Sequence, residues 1–121
     1  MKISNEPSKE KYVRILNLDE SIRFVGRIKN RNVVSFVRRN DLEPLLDDEM
    51  GNMAHYQASL KASMEEMFDG PLGKTNWMIT SKEFVKLVTL FLDDGLLIFS
   101  MESDGNHDEV IQKIQHLNME L

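Results

Sequence analysis

Apolar positions change period several times along the chain, and each change marks an element. From Ser8 to Leu18, Tyr12, Ile15 and Leu16 fall on one side of a short helix, with Ser8 as N-cap just after Pro7. From Ile22 the period becomes two: Ile22, Phe24, Gly26 and Ile28 share one face, Arg23, Val25 and Arg27 the other. After Lys29-Asn30-Arg31-Asn32 the β-branched run Val33 to Arg38 completes a hairpin, whose Asn residues tolerate positive φ.

Between about Asp47 and Phe68, Met50, Met53, Tyr56, Leu60, Met64, Met67 and Phe68 recur at steps of three and four. This predicts a long helix with one apolar stripe turned toward a sheet. The acids Asp47, Asp48 and Glu49 suit its positive N-terminal end, and Asp69-Gly70-Pro71-Leu72-Gly73 stops it. Beside the stripe run Ala54, Ala58 and Ala62, spaced by four. Small side chains there suit close approach of a second subunit, although Ala is also simply a good helix former.

Three β-rich runs follow, Thr75 to Thr80, Glu83 to Leu92 and Leu96 to Met101, separated by Ser81-Lys82 and by the turn signal Asp93-Asp94-Gly95. The run Leu96-Leu97-Ile98-Phe99 is apolar on both faces, which marks a central strand. Asn106-His107-Asp108-Glu109 reads as a capping box opening a last helix with Val110, Ile111, Ile114 and Leu117 inward. The predicted order is α-β-β-α-β-β-β-α. A sheet buried on both faces needs helices on both sides, so the expected fold is α/β, a five-stranded antiparallel sheet of order 2-1-5-4-3 between helices. The whole chain, 1–121, is expected to be one domain, with 1–7 a flexible tail.

Composition narrows the function classes. The chain has no Cys, which excludes a disulfide framework and thiolate chemistry and fits a reducing, cytoplasmic setting. No run approaches the ~20 apolar residues of a membrane span. Residues 1–39 hold ten basic against four acidic residues, a net of +6, and residues 40–121 five against sixteen, a net of −11. The basic set Arg23, Arg27, Lys29, Arg31, Arg38 and Arg39 gathers on the first hairpin as a candidate patch. An acidic protein partner would fit it. Nucleic acid is disfavoured by the acidic remainder and by the lack of interleaved aromatics, and a solvated, aggregation-resistant edge explains most of the charge.

The stretch Glu102 to Glu109 lacks calcium-loop spacing, His55, His107 and His116 lack zinc spacing, and Gly-Pro-Leu-Gly-Lys-Thr at 70–75 lacks that of a phosphate loop. No Ser lies in a nucleophile elbow. These residues call for no cofactor and no metal, and they favour a binding protein over an enzyme.

The element order resembles that of the roadblock (dynein light chain) superfamily, a small profilin- and longin-like fold. The run Ile15 to Gly26 and Leu72-Gly73-Lys74 are also similar to small proteins of ammonia-oxidising archaea, a likeness that implies no activity. The roadblock resemblance implies a non-catalytic homodimeric adaptor or regulator, often of a small GTPase, joined through the middle helix and third strand. The alternatives are a PAS-like small-ligand sensor, with a cavity between the long helix and the sheet, and an enzyme without a recognisable signature.

The two predicted sheet edges differ. The first carries Arg31, Arg38 and Arg39, whereas Asn76, Trp77, Met78 and Ile79 on the other carry no charge. An apolar edge without charge invites pairing, so Ala54, Ala58, Ala62, Asn76, Trp77, Met78 and Ile79 form the candidate dimer interface.

Overall fold

The computed structural model describes residues 9–117 and Leu121. Its elements are α1 (Lys9–Leu16), β1 (Ile22–Lys29), β2 (Asn32–Arg38), α2 (Asp48–Glu66), α3 (Asp69–Leu72), β3 (Trp77–Ser81), β4 (Val85–Leu92), β5 (Gly95–Glu102) and α4 (His107–Gln115). The sheet is antiparallel, in the order β2-β1-β5-β4-β3, as the alternation predicts. The expected Ser8 cap and the tail 1–7 lie outside the described residues.

The central strand β5 divides the core. Leu97, Phe99 and Met101 meet Tyr12 and Ile15 of α1 and Val110, Ile111 and Ile114 of α4 on one face. Leu96 and Ile98 meet Ile28 and Ala62 on the other, beneath α2. Both faces are covered because every side chain from Leu96 to Phe99 is apolar and needs removal from water.

Asp47 caps α2, its side chain accepting from the Met50 N–H at 2.8 Å, and Asn106 caps α4 by accepting from the Glu109 N–H at 3.1 Å. The segment expected only to stop α2 instead winds one further turn, α3, before Gly73 leaves it at φ +89°. Register differs from simple alternation at the start of β1, where pairing with β5 shifts between Ile22 and Phe24. This bulge carries Ile22 to the α1/α4 face beside Val25, while Phe24 stays under α2.

Both inner hairpins turn on two residues. In the β1–β2 turn the left-handed positions are Asn30 and Arg31, so Arg31 and not Asn32 takes the second positive φ. In the β4–β5 turn Gly95 follows Asp93 and Asp94, and a Cβ there would collide with the Ile28 carbonyl. Only Gly lets that turn close onto β1.

Candidate interaction surface

The long helix is oriented opposite to expectation. Ala62 is 5% exposed and packs with Ala58 against the sheet of its own subunit, whereas Met64 is 64% exposed. Met50, Met53, Tyr56, Leu60, Met67 and Phe68 are exposed as well. At 100° per residue, Ala58, Ser59 and Ala62 point at the sheet, Met53, Leu60 and Met64 point away from it, and Tyr56 and Met67 lie on the outer flanks. The physical reason lies in the sheet face beneath. Phe24, Ile28, Leu96 and Ile98 are already bulky, so only small side chains let a helix backbone close over them. Ala58 and Ala62 therefore pack within the subunit, Ala54 is half-buried, and the Met stripe is surface, not core.

The other candidate dimer residues sit on an unpaired sheet edge. Among the described residues β3 pairs with β4 alone, in the register Trp77 with Leu90 through Ser81 with Lys86, and the Asn76 carbonyl accepts from the Phe91 N–H at 3.0 Å. Side chains alternate across the strand. Ile79 packs against the α1/α4 core, and Met78 packs under the α2 side. Trp77 is 37% exposed, its ring centroid 6.4 Å from that of His107. Beside Met78 on the α2 side, Leu87 is exposed and Phe91 only half-buried, so α2 does not cover the sheet as far as this edge. Phe84, in the preceding loop, is exposed too.

The expected basic patch is largely dismantled by pairing. Arg27 is 1% exposed; its Nη1 donates to the carbonyls of Ile28 at 2.8 Å and Leu96 at 3.3 Å, its Nε to that of Leu121 at 3.2 Å, and its Nη2 pairs with Asp94. Lys29 reaches the same Asp94 at 3.5 Å. The hydrogen bond from Arg27 holds the Asp94 carboxyl below its usual range. Arg23 meets Glu102 at 3.2 Å and donates to the Glu43 carbonyl at 2.9 Å. Arg39 donates to the carbonyls of Ile22, Leu16 and Asp19 at 2.6, 2.7 and 2.8 Å, closing the end of α1. Arg31 and Arg38 remain exposed. Counting Arg residues could not separate these roles, because the partners, backbone carbonyls and the carboxylates of Asp94 and Glu102, are brought close only by the fold.

The perturbed groups do not converge on one cavity. Burial raises Tyr12, hydrogen bonds from Ser21 lower Asp19, and burial followed by the charge of Arg38 lowers His55. The His55 ring lies 5.3 Å from Phe24, and its Nδ1 is buried with no hydrogen-bond partner among the described residues. His107 sits apart from it, its Nδ1 3.2 Å from Lys86 Nζ, which also donates to the Gly105 carbonyl at 2.7 Å. Among the described residues no three His, Asp or Glu come together as metal ligands. A cleft of about 460 Å³ opens between α2 and the turns at the end of the sheet, lined by Lys29, Arg31, Ser63, Glu66 and Asp93. No helix among the described residues is long and apolar enough to cross a membrane.

No family model matches the chain, and no curated protein matches it either. Solved structures do. The gliding protein MglB of Thermus thermophilus superposes with a TM-score of 0.77 at 12% identity, over 96% of this chain and 86% of that one. A roadblock/LC7 domain from Streptomyces avermitilis gives 0.69 at 10% identity, over 87% and 86%. MglC from Myxococcus xanthus gives 0.56 at 17%, over 91% and 92%. At these identities the likeness establishes the fold, which is that of the roadblock proteins, as the element order implies.

Proposed function

We propose that this chain is a non-catalytic regulatory adaptor that works as a homodimer and receives a protein partner, of the small-GTPase class implied by its roadblock resemblance, on the outer face of α2. The observation that carries the reading is the reversed helix. A stripe of five large apolar side chains, Met53, Tyr56, Leu60, Met64 and Met67, points to solvent from a helix whose opposite face already packs on the sheet. Contiguous exposed apolar surface of this kind marks protein contact, and flexible, polarizable Met adapts to a partner's shape.

Dimerisation uses a different surface. Pairing β3 with its copy across a two-fold axis would satisfy the free backbone groups of that edge and cover Met78 and Leu87, leaving the α2 stripe for the partner. Light scattering at micromolar concentration tests the first half: twice the chain mass is expected, and Met78→Lys should yield a folded monomer. A wild-type monomer would refute it. For the second half, a small GTPase retained from source lysate by the wild type should be lost with Met53→Glu/Met64→Glu while the dimer persists.

A further inference from the structure

The opposite sheet edge has its own chemistry. Among the described residues β2 pairs with β1 alone, and the Arg39 N–H donates to the Arg23 carbonyl at 3.0 Å. That bond fixes the alternation of the ladder: Ser35 and Val37 bond inward to β1, so Phe36 and Arg38 turn their backbone N–H and C=O groups outward. The one irregularity, between Arg27 and Ile28, lies toward the turn and leaves Ser35 to Arg38 regular.

Three features make this edge more than a charged guard. Phe36 is 42% exposed yet held in place by stacking on Phe24 at 5.9 Å, which in turn stacks on His55. Val33 and Val34 beside it are exposed. Lys9 Nζ and the Arg38 guanidinium each lie 5.6 Å from the Phe36 ring centroid, so two cations flank one rigid apolar anchor. Arg31, exposed at the turn, adds a third cation.

We infer that β2 is a strand-addition site for an extended acidic segment of a partner protein. Main-chain hydrogen bonds to Phe36 and Arg38 would supply pairing; these two side chains share one face of β2, so carboxylates at alternate positions of the segment would meet Arg38 and Lys9 on that face, their methylene stems lying over the Phe36 ring, with Arg31 at the turn end. A second copy of this chain does not fit, because two such edges would bring like charges together. The inference is independent of the dimer, which uses the uncharged edge at the far side of the sheet.

The probe is a fluorescein-labelled Glu-Val-Glu-Val-Glu-Val peptide, titrated by anisotropy against the wild-type chain, with Lys-Val-Lys-Val-Lys-Val and a thymidine oligonucleotide in parallel. The acidic peptide is expected to bind, more weakly as salt rises, and the basic one not to bind. Arg38→Glu/Lys9→Glu, whose far-ultraviolet circular dichroism should match the wild type, is expected to weaken binding by roughly tenfold or more. Amide exchange should slow at Phe36 and Arg38 when peptide is bound. Should the double variant not fold, Phe36→Ser replaces it, with the same loss expected. Equal binding of both peptides, binding by the oligonucleotide instead, protection at β3 rather than β2, or no binding of the acidic peptide would each overturn the assignment.

Discussion

The guanidinium of Arg27, buried under the sheet, is paired with the largely exposed carboxylate of Asp94 in the β4–β5 turn. The two ends of this bond are not energetically equivalent. Losing Asp94 exposes a buried cation to a missing partner, but water can reach the place the carboxylate held. Losing Arg27 strips donors from the carbonyls of Ile28 and Leu96 where water cannot follow. Arg27→Met, which keeps the apolar stem, is therefore expected to cost about 2–3 kcal/mol in urea unfolding, and Asp94→Asn less. Because Asp94 is held below its usual carboxyl value by that hydrogen bond, its stabilisation is present above the unfolded carboxyl pKa and is lost as pH falls through the folded one.

The reversed α2 predicts a contrast between two faces of one helix. Ala62→Leu, a substitution toward a better-packing residue by composition alone, forces volume between α2 and Ile28, Leu96 and Ile98. It should destabilise the subunit by roughly 1–3 kcal/mol. Met53→Glu and Met64→Lys, which remove apolar residues, should leave subunit stability within about 0.5 kcal/mol. Thermal melts of the three variants decide the orientation: a large loss for the Met variants with a tolerated Ala62→Leu would put the stripe back in the core.

The same helix shows how far the sequence could be read. Strand order was legible because Leu96 to Phe99 is apolar on both faces, and a strand with that pattern must be central. Caps were legible because Asp47 and Asn106 act on their own neighbours. The face of α2 was not, since periodicity locates an apolar stripe but does not say whether it meets the chain's own sheet or another protein. The decisive quantity is the bulk already present on Phe24, Ile28 and Ile98, a tertiary property. The basic hairpin failed for a related reason: Arg27 and Arg39 are bound by backbone carbonyls, which carry no sequence signal.

His55 gives a pH prediction with a definite sign. Its imidazole is held below the usual value mainly by burial, with the Arg38 charge adding to it, so the unfolded chain binds this proton more readily than the folded one. Stability from this group is full above an unfolded pKa of about 6.5, declines as pH falls through it, and stops declining below the folded value. His55→Phe keeps a ring on Phe24 and removes the titration. Urea midpoints just above neutrality and near pH 5 should therefore fall for the wild type and fall less for the variant. Equal slopes would mean that His55 is as solvated folded as unfolded.

Trp77, the single Trp of the chain, reads the β3 edge directly. In the isolated subunit Trp77 is 37% exposed, its ring on the α4 side beside His107. If β3 pairs with its copy, the neighbouring strand covers part of that ring, and apolar surroundings shift indole emission to shorter wavelength. Dilution through the range in which light scattering reports dissociation should then move the emission maximum to longer wavelength. Met78→Lys should show the dissociated spectrum at every concentration, because the strand's alternation places Met78 on the other sheet face and its substitution does not touch the indole's own packing. A wild-type mass that changes on dilution while Trp77 emission stays constant would place the seam away from β3, and the exposed stripe of α2 would become the surface that joins the two copies.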